Sequence, residues 1–131
     1  MKLGDVQFSQ HGALLVAKLT GEIDLFNAPG IGQAIVETTS NQEIGLIVDL
    51  SALHHLDSAG IHLLFRLREQ LGARGQTLAL VIPARSVSSD VLRLAGVTLH
   101  VGTFETVDDA LRSVATDHGG PPPQTPPSPS L

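Results

Sequence analysis

Two short apolar runs, Leu46-Ile47-Val48-Asp49-Leu50 and Thr77 to Ile82, constrain the fold more than any other feature of the chain. A strand with one wet face alternates apolar and polar residues. A run that is apolar at nearly every position needs cover on both faces. Between these two runs lies a long stretch of helical period. Doubly buried strands joined through a helix are parallel neighbours, because a parallel pair cannot be closed by a hairpin.

The flanking segments fill in the rest. Val6-Gln7-Phe8-Ser9-Gln10, then His11-Gly12, then Ala13 to Thr20 read as two strands around a tight turn, with Gly12 free to take positive φ. Gly21-Glu22-Ile23-Asp24 closes the second strand. Asn27 followed by Pro29 marks a helix start, and Ile31, Ile35 and Val36 form its apolar stripe despite Gly30 and Gly32. Ser51 to Asp57 is expected as a loop. From Ser58 onward, Ile61, Leu64, Phe65 and Leu71 keep helical spacing, Arg66, Glu69 and Gln70 are polar, and Gly72 and Gly75 are stops. Pro83 closes the second apolar strand. Ser86 is placed to cap a helix carrying Val87, Val91, Leu92 and Leu94 and stopped by Gly96. Thr98 to Val101 is expected as a short strand. Thr106-Val107-Asp108-Asp109 opens a last helix running to about Ala115, with Asp in place of the usual Glu of a capping box. The order β-β-α-β-α-β-α-β-α predicts a mixed α/β fold. Its central sheet is largely parallel, with about four to five strands and about four helices.

Composition narrows the function. The chain has 131 residues, and six of its eight prolines fall in the uncharged stretch 121–131. Residues 1–117 are expected to form one domain, and 118–131 a disordered Pro-rich tail with too little apolar surface to order itself. The absence of cysteine excludes disulfides, Cys-ligated zinc, iron–sulfur clusters and thiol catalysis. No apolar run approaches about 18 residues and no basic tip precedes an apolar segment, so no membrane span or secretion is expected, and a cytoplasmic protein is. A net charge of −5, with Phe8, Phe26, Phe65 and Phe104 the only aromatic residues, argues against nucleic acid as a direct partner.

Chemistry could gather around Leu56-Asp57-Ser58-Ala59-Gly60. A Ser or Asp ahead of an apolar-periodic run is placed as a helix N-cap, which is one reading of Ser58. The other is modification. A phosphate there adds about −1.5 to −2 charges at the positive end of a helix, on a hydroxyl that Ala59 and Gly60 leave approachable. His62 stands one turn later on the same face. It reads either as a surface histidine or, when protonated, as a pair for a phosphate on Ser58 that tunes the lifetime of that state. His54-His55 beside Asp57 and Ser58 superficially suggests a hydrolase, but Leu56 stands where a nucleophile elbow needs its first Gly. A metal site from His54, His55, Asp57 and His62 fits no compact ligand motif. No Gly-rich phosphate loop is present. No catalytic residue, cofactor or metal is expected.

Three pieces in order resemble the STAS domain, and specifically bacterial anti-sigma factor antagonists. They are Leu19-Thr20-Gly21-Glu22-Ile23-Asp24, Leu46-Ile47-Val48-Asp49-Leu50-Ser51, and Leu56-Asp57-Ser58-Ala59-Gly60-Ile61 opening a helix. The resemblance spans about Val6 to Ala115. It implies a switch in which a Ser in the Asp-Ser context is phosphorylated by a partner that is both anti-sigma factor and ATP-using serine kinase. The unmodified form binds that kinase and frees the sigma factor; the phosphorylated form lets go, and a serine phosphatase resets it. Carried over, the acceptor is Ser58, and the partner-binding surface is Asp24, Asp57, Ser58, Gly60 and His62. The kinase brings ATP and metal, so the resemblance implies a binding protein rather than an enzyme. Two departures stand out: Ala59 where the family often has Ser or Thr, and His62 where a small residue is typical. STAS folds also serve in transport complexes and stress-signalling scaffolds, so the alternative is a constitutive adaptor subunit. No charge or hydrophobic feature fixes an oligomeric state, and a monomer that forms heterocomplexes is expected.

Overall fold

The structure, a computed structural model, describes residues 4–84 and 86–117. The proposed tail, 118–131, lies outside the described residues. β1 (Asp5–His11) and β2 (Leu14–Ile23) form an antiparallel hairpin whose turn holds Gly12 at φ 62°. β3 (Gly45–Leu56), β4 (Thr77–Val81) and β5 (Gly102–Phe104) add in parallel, giving a five-stranded sheet in the order β1-β2-β3-β4-β5. The connections carry α1 (Ala28–Thr38), α2 (Ser58–Ala73), α3 (Val87–Leu94) and, after β5, α4 (Val107–Asp117).

Alternation along the buried strands sorts their side chains into two cores. Leu15, Ala17 and Leu19 of β2, Leu46, Val48 and Leu50 of β3, and Leu78 and Leu80 of β4 point to one face. There they meet Ile31 and Ile35 of α1 and Leu63, Leu64, Leu67 and Leu71 of α2. Leu14, Val16, Ile47, Ala79 and Val81 point to the other face, under Ala110 and Val114 of α4. The apolar runs are doubly covered, as their composition requires. Each fully buried Leu or Ile stabilises the fold by roughly 1.5–3 kcal/mol. Asp49 shares the α4 face yet is buried; its Oδ1 accepts a hydrogen bond from Ser51 N at 2.9 Å.

Two expectations need correction. Ser51 to Asp57 is not a loop, because β3 continues to Leu56. β2 runs on to Ile23 and draws β3 along it, pairing Thr20 with Ala52, Glu22 with His55 and Ile23 with Leu56. The register shifts twice on the way, so β3 bulges and loses the period-2 signal that marks a strand. Thr98 to Val101 is not a strand either. Val97–Leu99 is a 3-10 turn entered through Gly96 at φ 80°, Val97 and Val101 fill the core, and the strand begins at Gly102.

Candidate functional site

The site is built at the end of the sheet where the parallel strands finish. β3 stops at Leu56, and Asp57 leaves it extended, at φ −104° and ψ −169°. The Asp57 carboxylate accepts hydrogen bonds from Ala59 N at 2.9 Å and Gly60 N at 3.4 Å, and its carbonyl accepts from Ile61 N at 3.1 Å. Asp57 is therefore the N-cap of α2, and Ser58 is its first helical residue. Capping falls to the aspartate, which frees the serine. The Ser58 side chain is exposed, and its hydroxyl makes no hydrogen bond among the described residues.

Gly60 lies beneath this turn. A Cβ there would collide with Leu56 Cδ1 and stand 3.3 Å from Ile23 Cγ2. A glycine lets the first turn of α2 sit directly on the ends of β2 and β3. Gly60 is buried, so it lies under the candidate surface rather than on it.

The loop after β2 holds itself in a similar way. Asp24 Oδ1 accepts from Phe26 N at 2.9 Å and Asn27 N at 3.0 Å, while Asn27 Oδ1 accepts from Asp24 N at 2.9 Å. Asn27 Nδ2 also donates to Glu22 O at 2.8 Å. Asn27 does not cap α1 with its side chain; it closes a reciprocal pair with Asp24, as a capping box does. Both carboxylates thus turn inward, that of Asp57 onto N–H groups in the first turn of α2 and that of Asp24 onto the N–H groups of Phe26 and Asn27 just ahead of α1.

Ile23 ends against Gly60, which sets the Asp24 loop beside α2. Between them lies a groove of about 610 Å³, lined by Leu25 and Ala28 on one wall and by Ala59, His62 and Phe65 on the other. Leu25 is 72% exposed, and the adjacent Phe26 is 90% exposed. Sequence reasoning missed this pair. The available signal was two apolar residues between Asp24 and Asn27, out of register with the α1 stripe. Exposed adjacent apolar side chains at a loop tip mark interaction sites. Arg66 also lines the groove and makes no ion pair among the described residues. The pairs present there, Asp90 with Arg93 and Asp109 with Arg112, lie on α3 and α4.

The structure brings Asp57, Ser58, Gly60 and His62 together on the first turns of α2, with the Asp24 loop alongside. His62 is exposed one turn beyond Ser58, on the same side of the helix. His54 and His55 are exposed on the bulged end of β3, and neither is hydrogen-bonded to Ser58 or Asp57. Among the described residues, no three His, Asp or Glu side chains converge to hold a metal ion. No helix among them is long and apolar enough to cross a membrane.

Comparison with known proteins places this site in context. Residues 5–110 match the STAS domain family. Anti-sigma-F factor antagonist RsfB of Mycobacterium tuberculosis is 33% identical over 110 residues, spanning 83% of this chain and 88% of that protein. The crystal structure of an anti-sigma factor antagonist from Mycobacterium paratuberculosis superposes with a TM-score of 0.76 at 28% identity, covering 86% of this chain and 94% of that one. A putative anti-sigma factor antagonist from Thermotoga maritima has the same fold, with a TM-score of 0.74 at 18% identity, covering 83% and 93%.

Proposed function

The chain belongs to the STAS domain family, and from that premise we propose that it acts as a cytoplasmic anti-sigma factor antagonist, switched by phosphorylation of Ser58. It is a binding protein that docks on an anti-sigma factor through the Asp24 loop and the first turns of α2. One observation carries the switch: Ser58 presents a free hydroxyl at the first position of α2, while the neighbouring Asp57 carboxylate is occupied with capping. A kinase can reach that hydroxyl without undoing the cap.

The effect of the phosphate follows from the same geometry. The N–H groups of Ala59 and Gly60 already serve Asp57, so they are not available to a phosphate on Ser58. About −1.5 to −2 charges then stand next to a carboxylate, in the middle of the docking surface. Burying that charge unpaired under a partner costs several kcal/mol, on the order of a hundredfold or more in affinity. His62, exposed one turn on along the same side of α2, is placed to pair with the phosphate and lengthen the life of the released state. A serine phosphatase completes the cycle.

The test uses Ser58→Ala and Ser58→Asp chains as baits in native lysate, followed by incubation of the captured kinase with the wild-type chain and Mg-ATP. The expected result is an ATP-binding protein retained on Ser58→Ala and lost from Ser58→Asp, which adds a single phosphate to the wild type and none to Ser58→Ala. Identical partners on both baits would discard the switch in favour of a constitutive adaptor. If His62→Gly leaves the dephosphorylation rate unchanged, the pairing role of His62 is wrong while the switch stands.

A further inference from the structure

The sheet has two edges, and they are built differently. β5, at one edge, is three residues long, too short to template another strand. β1, at the other, is seven residues long and pairs with β2 along its whole length without a register shift. Natural edge strands are usually blunted by lysine, proline, a bulge or shortness. β1 has none of these: its sequence is Asp-Val-Gln-Phe-Ser-Gln-His, with ionisable residues only at its two ends. Among the described residues, nothing pairs with its outer side.

We infer that the outer edge of β1 is an interface between two copies of this chain, which pair antiparallel and run the two sheets into one. Full overlap of the seven residues sets Phe8 opposite its twin, Gln7 opposite Ser9, Val6 opposite Gln10 and Asp5 opposite His11. Residues directly opposite in an antiparallel pair must both turn their backbone groups to the partner or both turn them away. Every pair in this register joins two odd or two even positions, so the outward N–H and C=O groups of the two copies meet. The end groups are also complementary, an imidazole N–H donor facing a carboxylate acceptor. Asp5 and His11 are both exposed, on the same face of the sheet, and each end of the pairing sets a carboxylate across from an imidazole. The His11 ring is already held on that face by Ser9 Oγ, at 3.1 Å from Nε2. On the other face, Val6 and Phe8 are half-buried at the margin of the main core, and Phe8 against its twin carries that core across the two-fold axis. Ser58 stands at the start of α2, whose first turn sits on the ends of β2 and β3, and is not part of the outer edge of β1.

Sedimentation equilibrium of the full chain over a concentration series, at neutral pH and low ionic strength, tests this. The expected mass moves from one chain to two. Phe8→Lys sets like charges opposite each other at the axis and is expected to leave only monomer, with circular dichroism reporting whether it folds. Asp5→Lys, at an exposed position that does not endanger the fold, is expected to weaken the dimer roughly two- to tenfold through its two symmetric pairs. Adding His11→Glu to Asp5→Lys is expected to restore it. That rescue decides the question. A wild-type chain that stays monomeric, a dimer indifferent to Asp5→Lys, or one that the double variant does not restore overturns the interface.

Discussion

The two ends of the parallel strands are held by different kinds of hydrogen bond. Where the strands begin, Gln76 Nε2 donates to Ser40 O at 2.7 Å and Glu43 O at 3.0 Å, and Arg74 Nη1 donates to Thr39 O at 2.9 Å. Gln10 Nε2 reaches Glu43 Oε1 at 2.8 Å. These bonds join segments 33 to 36 residues apart in sequence. Where the strands finish, Asp24, Asn27 and Asp57 bond only to groups two to five residues away. One end is cross-braced by side chains that reach between distant segments, although Gln76 Oε1 is buried there without a partner among the described residues. At the other, each loop holds its own shape, so a partner can dock there without breaking anything inside.

That contrast can be broken by mutation. Gln76→Ala strands two carbonyls at the braced end and removes a buried side chain; a loss of about 2–3 kcal/mol is expected in urea unfolding. Gly60→Ala tests how tightly α2 sits on the strand ends. The Leu56 side chain can turn partly aside, so about 1–2 kcal/mol is expected by the same measurement. Asp57→Ala removes a purely local cap and is expected to cost about 1 kcal/mol. If it costs as much as Gln76→Ala, the two ends do not differ in the way described. Phe26→Ser sharpens the comparison from the other side. Stability is expected to change by less than about 0.5 kcal/mol, since the ring is 90% exposed. Affinity for the captured anti-sigma factor, read by calorimetry, is expected to fall by about tenfold or more, because an exposed aromatic at a docking surface is the kind of side chain that carries binding.

Much of this architecture was legible from local pattern. The buried runs of β3 and β4 announced themselves by composition, and the caps of α3 and α4 by single residues. Ser86 Oγ accepts from Ser89 N at 3.0 Å, and Thr106 Oγ1 accepts from Asp109 N at 3.1 Å. The site was only half legible. Leu56-Asp57-Ser58 was recognisably a helix start, but which of Asp57 and Ser58 makes the cap depends on the backbone angles between strand and helix. The proximity of Asp24 to Ser58 came from family resemblance, because no local signal joins residues that far apart. The second half of β3 was lost to its bulges.

Sequence alone determined what depends on neighbours along the chain: which stretches bury both faces, which turn with helical period, roughly where each helix begins, and that a hydroxyl stands at the start of α2. Periodicity carries this information because a residue's direction follows from its position within its own element. Tertiary structure alone decided what depends on who packs against whom. β2 holds β3 in register through two bulges as far as Leu56. Gly60 admits Leu56 and Ile23, and the exposed Leu25, next to Phe26, lines a groove against Ala59 and His62. Apart from Leu56 against Gly60, those outcomes are set by contacts between residues some thirty to forty positions apart, and their energies appear only once the sheet has brought the segments together.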